Sequence, residues 1–300
     1  MNRLRSRKVT QLWKKLIPDF ILRTVVIAAV LSACWSWLLY KYQALQVGKE
    51  LLATISAINI LGTVGIITLV LYPLIFASYR ALKKDSHELL ESNIYTILAL
   101  GNAVAERDSA TDEHNYRVTY FSLRLGEALN LPPASIRTLV KGAFLHDVGK
   151  IGIRDNILLK PSDLSKEEYD IMKTHVRHGV RIVDDIPWLQ DAKEVIRFHH
   201  ERYDGSGYPL GIKGDRIPVV ARVFSLADVF DALISERPYK SAMSYDDAIG
   251  ILRRQSERFD PQVFSCFALI SKSLYRSAAS MGKKEYDAWL TDKIIQYFEG

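Results

Sequence analysis

Two uncharged apolar runs near the N-terminus, over 24–40 and 51–78, constrain this chain more than any other feature. A run of that kind is long enough to cross a bilayer as a helix, and no soluble domain easily hides two in succession. Arg3, Arg5, Arg7, Lys8, Lys14, Lys15 and Arg23 precede the first run against a single Asp19, and Arg80, Lys83 and Lys84 close the second. Basic flanks stay on the cytoplasmic side, so both ends of the pair should face the cytoplasm. Trp35, Trp37 and Tyr40 fit an aromatic belt at the far interface. The expectation is a membrane anchor over residues 1–85, with spans at about 21–40 and 53–78 in a lipid bilayer. A cleaved signal peptide is the competing reading, and the second run argues against it. The polar connection over 41–50 is too short to fold as a sensory domain.

The formal net charge of +6 could suggest a nucleic-acid partner. Much of it precedes residue 24, where attraction to an anionic membrane surface is the simpler account, so no nucleic acid polymer is expected. Only Cys34 and Cys266 are present, and Cys34 lies in an apolar run. No disulfide framework is implied, and a reducing cytosol suits the remainder of the chain.

Beyond the anchor the pattern is helical. Leu89, Leu90, Ile94, Ile97, Leu98 and Val104 recur at spacings of three and four, which predicts a linker helix over 86–107. That helix opens the next domain and is placed to act as a lever from the membrane. Pro132-Pro133 ends one helix and starts another, Ser165 and Glu168 have capping-box spacing, and 245–256 is amphipathic. No run alternates as a strand would. The fold class predicted is all-α, with a domain over 86–285 and a polar helical tail over 286–300.

The chemistry starts at Phe144-Leu-His-Asp-Val-Gly-Lys-Ile-Gly-Ile153, where His146, Asp147 and Lys150 fall within five residues. An isolated His-Asp pair is more often a buried histidine with its neighbour than a metal site. Here it is followed by His199-His-Glu-Arg-Tyr-Asp-Gly-Ser-Gly-Tyr-Pro209, Ala227-Asp-Val-Phe-Asp-Ala-Leu233 and Arg237-Pro-Tyr-Lys240, and preceded by Glu106-Arg-Asp with Thr111, His114, Arg117 and Val118. In this order the motifs resemble the HD-GYP family, bacterial metal-dependent phosphohydrolases that open cyclic di-GMP. The resemblance covers roughly residues 92–270.

It implies seven metal ligands: His114, His146, Asp147, His175, His199, His200 and Asp228. Imidazole and carboxylate without thiolate suit Fe, Mn, Zn or Ni rather than a structural zinc. Seven ligands exceed what one ion takes, so two divalent transition metal ions, Fe or Mn, are expected to share Asp147. Such a pair activates a hydroxide and stabilises the attacking and leaving oxygens of an in-line displacement. Asp147 and Lys150 are the expected catalytic residues. Lys150, Gly207, Tyr208, Asp231, Arg237 and Lys240 are the expected substrate contacts, with Asp231 either touching substrate or orienting a ligand. Gly205 and Gly207 read as positions of positive φ. His87 and His178 match no motif.

The sequence departs from the family pattern at Asp112, where glycine is frequent, at Arg154, where proline is usual, and at Ala110. Some relatives carry an acidic third-metal ligand at the last position. On a regular helix Asp108 and Asp112 point away from the His114 face, so two ions and no third are expected.

The function implied is a membrane-anchored phosphodiesterase that converts cyclic di-GMP to linear pGpG, with GMP as a further product. The alternatives are an HD phosphohydrolase acting on another nucleotide and a nucleotide-responsive scaffold without turnover. A homodimer or a partner membrane protein is the expected assembly, and with so short an external segment the signal would be lipid, redox or a partner membrane protein.

Overall fold

The structure, a computed structural model, describes residues 48–108, 112–236 and 241–298, with a scatter of positions between 23 and 41. Nine of the twenty residues of the first expected span, 21–40, therefore lie outside the described residues, as do Ala110, Arg237 and Lys240. The chain divides into two compact units, Met1–Glu88 and Leu89–Gly300.

The first unit contains most of α1, Lys49–Arg107, a single helix of 59 residues that carries Pro73 in its interior. Among the described residues one helix, over Ala53–Arg107, is long and apolar enough to cross a membrane. Its side chains Leu61, Leu69 and Ile75 are exposed, which in water would be unfavourable and in lipid is not. The second expected span and the expected linker helix are thus parts of one element, with no break at the charged stretch Arg80–Lys84. Lys and Glu are good helix formers, so a switch from apolar to charged composition changes the solvent of a helix without ending it.

The second unit is built from helices alone among its described residues. After α1 come α2 (Asp112–Ala128), α3 (Pro133–Leu145), a 3₁₀ turn over Val148–Gly152, α4 (Lys166–Lys173), α5 (His175–Val183) and α6 (Lys193–Phe198). Then follow α7 (Val219–Ile234), α8 (Tyr245–Arg254), α9 (Pro261–Ala279) and α10 (Lys283–Phe298). Helix α3 shows how sequence sets position. Pro133 stands at its first turn, where a missing N–H costs nothing, and Ile136, Leu139, Val140, Ala143 and Phe144 make one buried stripe. That stripe packs on α2, α6 and α7, whose Phe121, Val195, Phe224 and Phe230 are fully buried. Each such side chain contributes about 1.5–3 kcal/mol by leaving water. The capping box forms as expected: the Glu168 N–H donates to the Ser165 hydroxyl, and the Ser165 N–H donates to the Glu168 carboxylate.

The C-terminal segment is not a tail. Helix α10 packs on α2 and α3, with Tyr286 and Leu290 buried. Lys293 Nζ reaches Glu127 at 2.6 Å and the Tyr297 hydroxyl donates to the same carboxylate at 3.0 Å. The boundary expected at residue 286 falls inside this helix. Its polar composition concealed a narrow apolar stripe, which suffices for a helix that covers the core on one side.

Candidate metal centre

Helix α3 ends at Leu145, and the chain turns at once into the 3₁₀ segment, so His146 and Asp147 sit at a helix terminus facing inward. Helix α5 lies against that turn so closely that a Cβ on Gly149 would collide with the His175 carbonyl oxygen. Glycine at 149 is therefore what allows His175 to approach Asp147. His199 caps α6, with His200 next to it, and Asp228 comes from α7.

The structure brings all seven expected ligands together in two groups. Asp147, His175, His199 and His200 form one and His114, His146 and Asp228 the other, with ligand atoms within 4.8 Å of each other in each. Asp147 faces both groups. Its Oδ2 is 3.1 Å from His146 Nε2, and its Oδ1 is 3.4 Å from His175 Nε2 and 4.0 Å from His199 Nε2.

Each imidazole in the buried part is held by its other nitrogen. His146 Nδ1 donates to the Ala143 carbonyl at 2.7 Å, His175 Nδ1 to Met172 at 2.7 Å, and His199 Nδ1 to Ile196 at 3.0 Å. The acceptor is three residues back in every case, a carbonyl near the C-terminal end of a helix. A proton fixed on Nδ1 leaves Nε2 with its lone pair toward the centre, the tautomer a metal needs. His114 is held differently. Its Nδ1 lies 2.7 Å from Asp231 Oδ2, and Arg117 Nε donates to Asp231 Oδ1 at 2.7 Å.

The charges follow from this burial. Burial pushes His175 and His199 below the ordinary imidazole range and pushes His200 down to about 3, assisted by the neighbouring histidines, so all three are neutral at neutral pH. His146 is also buried, but the adjacent Asp147 carboxylate outweighs that and raises it. Burial would raise Asp147 itself, yet Lys150 and His146 hold it well below the usual carboxylate range. Burial likewise opposes ionisation of Asp231, and the His114 and Arg117 partners lower it.

These residues fit divalent metal ions on an observation independent of their identity. Asp147 Oδ1 is buried and has no hydrogen-bond partner. An unsatisfied anionic oxygen in the interior is costly unless a cation completes it.

Around the ligands, the expected substrate residues divide. Lys150 Nζ lies between Asp108 at 2.6 Å and Asp147 at 2.7 Å, and although burial works against it, the two carboxylates raise its pKa and keep it charged. Two of its three hydrogens are thereby directed, and one is left for a phosphate. Asp108 was expected to face away from the His114 side, and its carboxylate is directed at Lys150. The regular helix assumed for that expectation ends at Arg107, and α2 starts afresh at Asp112. That break turns the Asp108 carboxylate toward Lys150. Asp231 is fully buried and engaged by His114 and Arg117, so it orients a ligand and has no surface to offer a substrate.

Tyr208 packs its ring on His200 at 4.6 Å between centroids, with Tyr169 meeting it edge to face at 6.2 Å. Gly205 has φ of 85°, as expected, whereas Gly207 does not adopt positive φ. Glycine is required at 207 because a Cβ there would strike the His200 carbonyl and the Arg202 N–H. Sequence reasoning passed over Glu201. Its buried carboxylate accepts from the backbone N–H groups of Leu210 at 2.6 Å, Gly211 at 3.2 Å and Ile212 at 3.2 Å, and so fixes the loop that carries Tyr208. A buried glutamate beside two ligand histidines was the available signal.

Comparison with known proteins gives three findings. A family model described as HD domain matches residues 99–263. A Vibrio cholerae protein named as a probable cyclic di-GMP phosphodiesterase is 38% identical over 219 residues, which is 67% of this chain and 50% of that protein. A second protein of the same organism, named 3′3′-cGAMP-specific phosphodiesterase 2, is 37% identical over 180 residues, 59% of this chain and 34% of that protein. The chain thus spans half or less of the length of these curated relatives. Among solved structures, that of a cyclic GMP-AMP specific phosphodiesterase of Vibrio cholerae superposes with a TM-score of 0.52 at 18% identity, covering 65% of this chain and 52% of that one. At that identity the likeness concerns the fold.

Proposed function

The chain belongs to the HD domain family, in its HD-GYP branch, and on that premise we propose that it is a metal-dependent phosphodiesterase that opens cyclic di-GMP. The observation that carries this reading is the Asp147 carboxylate, which turns one oxygen toward each histidine group and leaves Oδ1 buried and unpaired. Asp147, His175, His199 and His200 would hold one ion and His114, His146 and Asp228 the other, with Asp147 between them. Bound there, two such ions, Fe or Mn, supply Lewis-acid polarisation of a phosphate and lower the pKa of a water.

The chain's own residues then have defined tasks. The backbone-braced imidazoles hold Nε2 in place before substrate arrives, so no reorganisation is spent on them at the moment of reaction. Lys150 presents its remaining N–H to a non-bridging phosphate oxygen. The ring of Tyr208 provides a face for a base, and Gly207 lets backbone approach it. Arg237 and Lys240, from the motif outside the described residues, grip the second phosphate. The product is linear pGpG, with GMP after a second cut. Anchoring by α1 and the span expected at 21–40 would keep the site at the cytoplasmic membrane face, as a homodimer or beside a partner membrane protein.

A second reading has specific support. The two Vibrio cholerae relatives have different named substrates and nearly equal identities of 38% and 37%, so overall identity does not choose between cyclic di-GMP and cyclic GMP-AMP. Purified full-length protein, loaded anaerobically with Mn²⁺ or Fe²⁺ and assayed with each dinucleotide, decides. Faster turnover of cyclic di-GMP to pGpG is expected. Preference for cyclic GMP-AMP would transfer the assignment to that substrate, and binding without turnover of either would leave a scaffold.

A further inference from the structure

Arg107, the last residue of α1, spends its whole guanidinium on one loop. Nη1 donates to the carbonyls of Lys150 at 3.0 Å and Ile151 at 3.1 Å, and Nη2 donates to the Ile153 carbonyl at 2.6 Å. Nε and Nη2 also meet Asp155 Oδ1 at 3.1 and 2.6 Å. The loop it grips carries Lys150 and follows Asp147 directly. The next residue, Asp108, holds the Lys150 ammonium from the side opposite Asp147. Further back on the same helix, Gly101 touches the Phe144 carbonyl so closely that a Cβ would not fit.

We infer that Arg107 is a positioning residue for the reaction: it fixes the backbone of the Lys150–Asp155 loop, and through that loop the placement of Lys150 and of the shared ligand Asp147. Three carbonyls in a short turn and one carboxylate are a set of acceptors that a planar five-donor fork satisfies and a lysine ammonium does not. The acceptors are backbone atoms, so the clamp acts on the loop whatever its side chains are.

The inference rests on the phosphodiesterase reading for its activity readout alone, so its test has a second readout. Full-length Arg107→Lys, Arg107→Ala and Asp155→Asn proteins are compared with wild type for kcat and KM on cyclic di-GMP and for Mn²⁺ affinity by electron paramagnetic resonance. Residues that support metal ligands typically cost roughly 10–100-fold in affinity or activity when changed. The expectation is a fall of that size in kcat for Arg107→Ala and Arg107→Lys, with KM little changed and Mn²⁺ bound about tenfold more weakly. Asp155→Asn, which leaves the three carbonyl contacts, should fall less than either. Arg107→Lys matching wild type in both readouts would overturn the inference, since a charge alone would then suffice. If Arg107→Ala does not fold, the lysine and Asp155 variants still decide. If wild type turns over no cyclic dinucleotide, the functional reading fails, while an unchanged Mn²⁺ affinity in Arg107→Lys would separately sink the clamp.

Discussion

The two halves of the candidate metal centre are built by different means. In the group of Asp147, His175, His199 and His200, two imidazoles are braced by backbone carbonyls three residues back. In the group of His114, His146 and Asp228, His146 has a backbone brace of the same kind, but His114 is braced by Asp231, a carboxylate that also accepts from Arg117 and Ser235. A backbone brace cannot be removed by substitution and carries no net charge. A buried carboxylate between an imidazole and a guanidinium is stronger per bond but depends on every member remaining. The first half is therefore robust to side-chain change, and the second is exposed to it.

Asp147 belongs to both halves, so its loss tests the contrast most severely. Asp147→Ala should abolish turnover and strip most bound metal, because it removes the one carboxylate facing both groups. Elemental analysis beside the activity assay checks this, and retention of two ions per chain would show that the halves are independent sites.

Next in size, Asp231→Asn should reduce metal at the His114 group by roughly 10–100-fold in affinity while the other group keeps its ion. Occupancy falling from two to one by anomalous scattering is the expected result. Loss of both ions would mean that the halves stand or fall together.

The halves should also load differently with pH. His175, His199 and His200 are held below the ordinary imidazole range, so no proton has to leave for a metal to bind there near neutrality. His146 is raised by Asp147, and its Nε2 must lose a proton before it can ligate. Metal uptake by the His146 group should weaken as pH falls through and below that raised value, above about 6.5, while the other group changes little. Mn²⁺ titrations at several pH values would show one step that moves and one that does not. Two steps moving in parallel would remove the electrostatic part of the contrast.

The smallest effect is a control. Ser165→Ala deletes the cap of α4, remote from the ligand atoms of both groups, and should cost about 1 kcal/mol of stability with metal content unchanged.

Much of this site was legible in the sequence because metal ligation restricts residue type and order. The seven expected ligands fall into two tight groups, and the helical class and the Ser165 cap were visible in spacing alone. What was missed shares one physical origin, the ends of elements. Periodicity does not report that α1 stops at Arg107, so the contact of Asp108 with Lys150 was not foreseen. Nor does it report that α1 fails to stop at residue 85, or that a few apolar residues in α10 reach the core. Gly207 was read as a conformational glycine when it is a steric one. Glu201 was passed over because its partners are backbone amides, so only its place beside His199 and His200 marked it.

The difference between the two braces also sets an order of assembly. His175 and His199 lie 24 residues apart in the chain, whereas His114 and its brace Asp231 are separated by 117. Loop-closure entropy grows with the logarithm of that separation, so joining the second pair costs about 1.4 kcal/mol more. On a newly made chain the segment that contains Asp147, α5 and α6 can close on itself before α7 has arrived to supply Asp228 and Asp231. One half of the centre is thus available to a passing ion while the other still lacks one ligand and the brace of another.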